Sequence, residues 1–349
     1  MKNITITDLA EELGISPSTV SRALNNSPKI SEKRRREINN LAMKRGFKLR
    51  TFTRRTTNLC ILIPTTLAEE NLISEFTGQV INGTSRYCMK NNIEFSIFSS
   101  THEKLNRMNV VKEIFRRNAD GVIVLNANPD CTFIEQFEQE QLPYCCLLSE
   151  HPDYPDRTLT VDNQNLAERA VDYLLQLGHR HIAYLYSAAH NPAQLDRQQG
   201  YQNALTRAGL PIHKHLCPAP PLNPEITALE FGLRATSKLL NQNPETTAIF
   251  SANSELAEGA HLACTRKGLR IPEDLSLLAC DNPQRAEYSS PPLTVVDIAN
   301  DRFGAAAADW LQQQLQDPDN APCPDEPWMK GNLILRESTA PPRGGGVMG

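Results

Sequence analysis

The amino-acid sequence predicts an α/β protein whose N-terminus carries a small all-α head. Apolar residues recur at helical spacing through the first 45 residues, interrupted at Gly14. From residue 59 onward, short apolar runs alternate with amphipathic stretches, which is typical of a parallel sheet covered by helices. The alternation begins again near residue 163, so the 349 residues predict a head followed by a body of two similar lobes.

The head begins with two short helices joined by a tight turn. Thr5 and Asp8 have the spacing of a capping box at the start of helix one. Gly14 supplies the backbone freedom that a sharp turn needs, and Ser16 followed by Pro17 starts helix two. This pattern predicts a helix-turn-helix, whose short second helix can enter the major groove of DNA.

The charge distribution favours binding of the head to nucleic acid. Residues 1–55 contain 13 Lys and Arg against 5 Asp and Glu, a net charge of +8. The rest of the chain contains 23 basic and 35 acidic residues, a net charge of −12. A basic head on an acidic body is what binding to DNA phosphates requires. A third helix is predicted from Ser31, and its run Lys33-Arg34-Arg35-Arg36 is either a solvated face or a phosphate contact.

The segment Thr19-Val20-Ser21-Arg22-Ala23-Leu24-Asn25 resembles the helix-two signature of the lactose-repressor (LacI/GalR) family of bacterial transcription regulators. With the start of helix one, the resemblance implies a DNA-contacting surface formed by Thr5, Ser16, Pro17, Ser18, Thr19, Ser21, Arg22 and Asn25. Positions 17, 18 and 22 are expected to face bases, and most of the others phosphates. Arg22 should dominate base readout, because a bidentate contact with guanine contributes ~1–3 kcal/mol of discrimination.

Composition narrows the cellular setting and the chemistry. No apolar run reaches the ~18 residues that a membrane helix needs, and the head follows Met1 without a secretory signal, so we expect a cytoplasmic protein. Nine Cys are scattered without a Cys-x-x-Cys pair and are expected to be buried apolar residues. The run His213-Lys214-His215-Leu216-Cys217 lacks a second ligand pair, so we predict no metal and no cofactor.

The body is predicted as strands alternating with helices. In the first lobe, strands are predicted at 59–63, 93–98, 121–125 and 144–148, with helices near 73–90, 104–117 and 132–140. In the second lobe, strands are predicted at 182–186, 248–250 and 275–280, with helices at 163–177, 193–208, 226–242 and 254–267. Segments 148–162 and 281–299 suit crossovers between the lobes. Ligands bind beyond the carboxyl ends of parallel strands, so the cleft between the lobes is the expected pocket.

Motifs of the body resemble the same family in their order and spacing, among them Val161-Asp162-Asn163 and Arg197-x-x-Gly200-Tyr201. The resemblance implies a type I periplasmic-binding-protein-like body of two doubly wound parallel-sheet lobes. The expected organisation is a DNA-binding domain at 1–48, a linker at 49–58, an effector-binding and dimerisation domain at 59–340, and a disordered tail at 341–349. The linker is atypical, because it lacks the family's Pro and its Ala-x-x-Leu pattern.

Carried over to this sequence, the family's effector-binding positions are Asp162, Arg197, Phe250, Asn253 and Asp281. Carboxylates accept hydrogen bonds from hydroxyls, Asn both donates and accepts, and Arg donates in a fixed fork, which suits a sugar or sugar derivative. Other roles stay open: the two Asp as turn formers, Arg197 as a surface charge, and Phe250 as a core residue. Ser254 and Cys280 replace the family's usual Asp and aromatic residue.

The expected function is a sequence-specific DNA-binding transcriptional regulator, a repressor controlled by a sugar-like effector. A homodimer is expected to read a pseudo-palindromic operator of double-stranded DNA. The alternative is a cytosolic sugar-binding enzyme with a regulatory DNA-binding head. The sequence contains no Gly-x-Ser-x-Gly motif, phosphate loop or metal triad that would favour the enzyme.

Overall fold

The structure is a computed structural model. It describes residues 6–24, 30–45, 56–65, 75–125, 127, 131–148, 153–187, 191–221, 223, 226–317, 328–329 and 331–343. The chain divides into two compact units, Met1–Thr56 and Thr57–Gly349.

The head contains three helices: α1 (Ile6–Leu13), α2 (Pro17–Leu24) and α3 (Glu32–Lys44). Gly14 ends α1 with φ +60°, and the Ile15 N–H donates to the Ala10 carbonyl at 3.0 Å. This is a C-cap in the left-handed conformation that glycine adopts without strain. All three helices contribute to a small core formed by Leu9, Ala10, Val20, Ala23, Ile38 and Ala42.

The described strands of the body are β1 (Asn58–Thr65), β2 (Glu94–Thr101), β3 (Gly121–Leu125), β4 (Tyr144–Leu147), β5 (Thr158–Val161), β6 (Ile182–Leu185), β7 (Ala248–Ser251), β8 (Ser276–Cys280), β9 (Thr294–Asp297), β10 (Trp328–Met329) and β11 (Asn332–Ile334). Its described α-helices are α4 (Glu75–Lys90), α5 (His102–Arg107), α6 (Val110–Arg116), α7 (Glu135–Gln139), α8 (Asn163–Gln176), α9 (Pro192–Arg207), α10 (Ala228–Gln242), α11 (Ser254–Arg266), α12 (Gln284–Tyr288) and α13 (Asn300–Gln316).

The N-terminal lobe is built on a parallel sheet with the strand order β10-β5-β4-β3-β1-β2. Alternate residues of β1 face opposite sides of this sheet. Leu59 and Ile61 lie in one apolar cluster with Val80 of α4, whereas Cys60 and Leu62 lie in a second cluster. Helices cover both faces, which explains why the strand is apolar throughout its length.

The C-terminal lobe has the strand order β11-β9-β8-β7-β6, in which β6 to β9 are parallel and β11 is antiparallel to β9. The carboxyl ends of the parallel strands lie at one edge of the sheet. Tyr186 follows β6, Asn253 follows β7 and Asp281 follows β8, so the topology brings these side chains to the same edge.

The chain passes between the lobes at three places: after β5, between β9 and α13, and between β10 and β11. The first passage agrees with the predicted crossover at 148–162. The predicted crossover at 281–299 still contains α12 and β9 of the C-terminal lobe, and the passage itself follows at residues 298–300. The helix α13 then packs on α4, β3 and β4 of the N-terminal lobe.

The predicted fold class is confirmed: two doubly wound parallel-sheet lobes accompany an N-terminal helix-turn-helix region. One predicted helix, at 104–117, is divided into α5 and α6. Asn109 causes the division, because its side chain accepts a hydrogen bond from the Lys112 N–H at 2.7 Å and so starts a new helix. Neither α13 nor β10 was predicted from periodicity.

Three helix pairs of the described body approach closely through glycine. The closest approach is at Gly83 of α4, where an added Cβ would lie 1.8 Å from the carbonyl oxygen of Asp301. Gly304 of α13 meets the Val80 carbonyl in the same contact, at 2.1 Å from an added Cβ. The Thr84 hydroxyl joins the two helices by donating to the Gly304 carbonyl at 3.2 Å.

We expect Gly83→Ala to destabilise the body by about 1–3 kcal/mol, because the added methyl forces α4 and α13 apart. Gly78→Ala is the matched control on the same helix, since nothing lies within 4 Å of an added Cβ there. The control should be neutral or stabilising by up to about 1 kcal/mol through helix propensity. Urea denaturation measures both free energies of unfolding, and equal effects of the two substitutions would contradict the close packing of α4 on α13.

The predicted linker lies outside the described residues up to Arg55, and Asn58, its last residue, already belongs to β1. The described part of the predicted tail contacts the C-terminal lobe: Arg343 pairs with Asp274, and Pro342 lies near Gly178. The described cysteines are free thiols, and all but Cys217 are buried. Within the described ranges, no helix is long and apolar enough to cross a membrane.

Candidate functional site

The start of α2 presents hydroxyl groups at the surface of the head. The Ser16 hydroxyl accepts a hydrogen bond from the Thr19 N–H at 3.2 Å and lies 2.8 Å from the Thr19 hydroxyl. Ser16 is therefore the N-cap of α2, as the sequence predicted. Ser16 and Pro17 are exposed, whereas Val20 and Ala23 are buried, so the packing of α2 leaves its first turn open to a partner.

Other residues of the predicted DNA-contacting surface lie outside the described residues. This holds for Thr5 and Asn25, and for the side chains of Ser18, Ser21 and Arg22. The backbone of the last three belongs to α2. Their contacts with DNA therefore stay predictions.

Two arginines of the basic run in α3 are held by partners within the head. Arg34 pairs with Glu37 at 2.8 Å, and Arg35 donates to the Ile30 carbonyl at 3.1 Å. A further ion pair, Arg45 with Glu12 at 2.7 Å, joins α3 to α1, and the Glu12 carboxylate raises the pKa of Arg45. These contacts fix the helices to one another, so part of the positive charge of the head is used for its own structure.

In the body, Arg197 of α9 is the centre of the predicted effector site. Its side chain is only 6% exposed. Its Nε donates to Asn163 Oδ1 at 2.8 Å, and its Nη1 donates to the Ala252 carbonyl at 2.5 Å. Because Asn163 follows Asp162 and Ala252 precedes Asn253, this one guanidinium brings together three of the five predicted effector residues.

Asp162 and Asn253 each start a helix. Asp162 accepts a hydrogen bond from the Asn165 N–H at 2.9 Å as the N-cap of α8, and Asn253 accepts from the Leu256 N–H at 2.9 Å as the N-cap of α11. Each cap uses one side-chain oxygen. Among the described residues, no partner is recorded for the second carboxylate oxygen of Asp162 or for the NH₂ group of Asn253, so both can bind another molecule.

Asp281 supplies negative charge to the same site. It follows β8 with φ +70°, a left-handed conformation that Asp tolerates better than most residues. Burial lowers the pKa of Arg197, but the negative charge of the Asp281 carboxylate raises it, and the net shift is upwards. Arg197 therefore stays charged, with a carboxylate close enough to orient it.

Each of the two units matches a family of known proteins. The family model "Bacterial regulatory proteins, lacI family" matches residues 5–48, and the model "Periplasmic binding protein-like domain" matches residues 171–339. The HTH-type transcriptional repressor CytR of Escherichia coli (strain K12) is 29% identical over 326 residues, covering 89% of this chain and 90% of that protein. The HTH-type transcriptional regulator DegA of Bacillus subtilis (strain 168) is 27% identical over 308 residues, covering 86% and 88%.

This chain belongs to the lacI family of bacterial regulatory proteins. It is a DNA-binding transcriptional regulator, and its relatives are regulators and not enzymes. Two solved structures establish the same fold. A complex of the transcriptional regulator CelR with cellobiose has a TM-score of 0.67 at 22% identity, over 96% of this chain and 100% of that one. A LacI family regulator from Enterococcus faecium with bound ribose has a TM-score of 0.65 at 23% identity, over 82% and 99%.

Phe250 of this regulator lies in the core of the C-terminal lobe. Its ring is 0% exposed, and its centroid lies 5.4 Å from that of Tyr184. Tyr184 in turn stacks on Tyr186 and Tyr201 at 5.7 and 5.5 Å. The structure thus gives Phe250 the core role that the sequence left open, and an effector can reach its ring only if a neighbour moves.

Two residues of the site were not singled out from the sequence. Asn163 holds the guanidinium of Arg197. Its place in the motif Val161-Asp162-Asn163 was a usable signal. Tyr186 is a half-buried aromatic at the carboxyl edge of the sheet and is better placed than Phe250 to stack on a ligand. Its position at the end of the predicted strand 182–186 was the corresponding signal.

The side chains of the segment 213–217 make contacts of their own. The His213 and His215 rings stack with centroids 4.9 Å apart. Cys217 instead contacts the Tyr201 hydroxyl inside the lobe. In the part of the chain that the structure describes, no group of three or more His, Cys, Asp or Glu has the geometry to hold a metal ion.

Proposed function

We propose that this regulator is a repressor whose binding to an operator is controlled by a sugar or sugar derivative held between the lobes. The observation that carries the proposal is the buried guanidinium of Arg197, which donates to Asn163 and Ala252, the chain neighbours of Asp162 and Asn253. A relative named as a repressor and two related structures holding sugars support the same function.

The chemistry of this cluster suits a ligand with several hydroxyl groups. A guanidinium has five N–H donors, and the contacts with Asn163 and Ala252 leave others for a sugar oxygen. The carboxylates of Asp162 and Asp281 accept hydrogen bonds from hydroxyls. A sugar matches both kinds of group, because each hydroxyl both donates and accepts, and Tyr186 offers an aromatic face for its C–H surface.

On the DNA side, we propose a cytoplasmic homodimer that reads a pseudo-palindromic operator through residues 1–48 of each protomer. The eight DNA-contacting residues are those inferred from the sequence, with Ser16, Pro17 and Thr19 at the exposed start of α2. Residues 59–340 would bind the effector and form the dimer. A coupling of about 1–3 kcal/mol between the two binding events suffices for a switch.

The test is a selection of genomic duplex fragments by the purified chain, followed by titration of sugars on the enriched site. We expect one pseudo-palindromic site to be enriched, and one class of sugar to change its affinity by about 5–150-fold, which is the typical range of allosteric coupling. Failure to enrich any site at low ionic strength would contradict the proposal. Recovery of a chemically altered sugar would favour the alternative of an enzyme with a DNA-binding head.

A further inference from the structure

The residue that follows Asp281 is bonded to both lobes. Asn282 lies in the loop after β8, directly beyond the carboxylate proposed to bind the effector. The C-terminal lobe holds its side chain, because Arg336 Nη2 donates to Asn282 Oδ1 at 2.9 Å and Arg336 Nη1 donates to the Leu293 carbonyl at 2.7 Å. The Asn282 carbonyl accepts a hydrogen bond from the N-terminal lobe, from Gln79 Nε2 of α4 at 3.2 Å.

The amide of Gln79 is oriented by a contact at each end. Asn300 Nδ2 donates to Gln79 Oε1 at 2.8 Å, and Asn300, the first residue of α13, is 2% exposed. The Asn282 carbonyl can only accept a hydrogen bond, so the Gln79 amide must present its NH₂ group to Asn282 and its oxygen to Asn300. This one side chain therefore joins the loop after β8 to the start of α13.

The two helices on the N-terminal side of this link are closely packed. Gly83, one turn after Gln79 on α4, would place an added Cβ 1.8 Å from the Asp301 carbonyl oxygen. The Thr84 hydroxyl donates to the Gly304 carbonyl at 3.2 Å. Helices packed at this distance shift as units, so α4 and α13 should move together when one lobe moves against the other.

The loop after β8 has little freedom next to the effector carboxylate. Asp281 has φ +70°, in the small left-handed region that leaves a non-glycine residue little room to adjust. Asn282 is bonded on its side chain and on its backbone. A movement of α4 against the C-terminal lobe must therefore either break the bond from Gln79 to Asn282 or shift the loop that carries Asp281.

We propose that Gln79 is a positioning residue that couples the effector site to the N-terminal lobe through Asn282. The inference rests on the proposed function, in which Asp281 contacts a sugar. A sugar at Asp281 favours the arrangement of the loop that binds it better, and Gln79 makes α4 and α13 share that preference. A ligand shifts such an equilibrium only by its difference in affinity for the two arrangements, so loss of the link should lower the coupling and spare the binding itself.

Gln79→Glu cuts the link with little change in size. A carboxylate still accepts a hydrogen bond from Asn300 Nδ2 but cannot donate one to the Asn282 carbonyl. Gln79→Leu removes both bonds and serves as the second variant if the charged one does not fold. Arg86→Leu is the matched control, because Arg86 lies on the same helix and its exposed ion pair with Asp301, at 2.6 Å, does not involve the loop.

Hydrogen exchange of the full chain without sugar is the first measurement. We expect the amides of residues 282–287 to exchange at least about threefold faster in Gln79→Glu than in the wild type or in Arg86→Leu, because the loop loses its bond to α4. The amides of β6 and β7 should keep their wild-type rates in all three chains. Unchanged exchange of residues 282–287 in Gln79→Glu would overturn the proposal, whether or not the chain binds a sugar.

Operator affinity with and without saturating sugar is the second measurement. We expect Gln79→Glu to lose at least half of the coupling free energy, so that a change of about 100-fold in the wild type falls to about 10-fold or less. Calorimetry should find sugar affinity within about threefold of the wild type, which a merely structural defect would not preserve. Full coupling in Gln79→Glu would contradict the role of Gln79. If no sugar changes the operator affinity of the wild type, the proposed function fails, and the exchange rates alone decide whether Gln79 positions the loop.

Discussion

Replacing Arg197 with methionine is expected to abolish the response to the effector while operator binding by the free chain persists. The guanidinium is buried and faces the groups proposed to hold the ligand. A hydrogen bond to a charged group contributes about 1.5–3 kcal/mol. Loss of two such bonds therefore lowers effector affinity about 100-fold or more. Fluorescence anisotropy of a labelled operator, titrated with the effector, measures the change.

Arg207→Ala is the matched control for this prediction. Arg207 lies on the same helix and pairs with Glu168 at 2.9 Å and Asp172 at 2.7 Å on the exposed surface. Its loss should leave the effector response unchanged. A folded Arg197→Met chain that responds at the wild-type effector concentration would place the effector elsewhere.

The same substitution removes structural hydrogen bonds, because Asn163 Oδ1 and the Ala252 carbonyl lose their donor. If Arg197→Met does not fold, Asp281→Asn provides the second test. Asn tolerates the left-handed backbone at φ +70° and keeps the size of the side chain, but it removes the carboxylate charge. We expect a smaller loss of effector affinity in this variant with unchanged stability and operator binding.

Local sequence pattern was sufficient for most of the parallel strands and most helices of both lobes, but β5 and β9 lay inside the predicted crossovers 148–162 and 281–299. Short apolar runs form the strands β1, β3, β4 and β8, which are buried along their whole length. A continuous apolar run is typical of a parallel strand that is covered on both faces. The helix α13 was missed although its Ala-rich sequence favours a helix locally. Its packing on α4 could not be predicted, because the bond from Thr84 to Gly304 joins residues 220 positions apart. Strand β10 has two residues and pairs with a strand far earlier in the chain, so no local signal marks it.

In the effector site too, features that depend on neighbouring residues could be predicted, whereas contacts between residues far apart in the sequence could not. The caps formed by Asp162 and Asn253 are local and follow from an Asx residue placed directly before a helix. The bond from Arg197 to Asn163 joins residues 34 positions apart, so the sequence contained both residues but not their pairing. The burial of Phe250 depends on Tyr184, which the sheet places on the neighbouring strand.

Replacing Arg22 with alanine is expected to weaken binding to the preferred operator by about 1–3 kcal/mol and to blur recognition at one base pair of each half-site. The expectation rests on the resemblance of residues 19–25 to the family's second helix and on the geometry of that helix. Burial of Val20 and Ala23 fixes the face of α2 that packs inward. A side chain four positions after Ser18 shares its face of the helix, and a guanidinium there can pair with guanine O6 and N7.

Lys33→Ala is the matched control for Arg22→Ala, because Lys33 is an exposed cation of the same head. Removing a phosphate contact would weaken binding to all sequences alike and reduce the dependence of affinity on salt, whereas removing a base contact changes preference at one position. Binding to a library of single-base operator variants at two salt concentrations separates these outcomes. A uniform loss across that library in Arg22→Ala would show that Arg22 contacts only the DNA backbone, and base readout would then have to come from Pro17 and Ser18, whose short side chains reach few base edges.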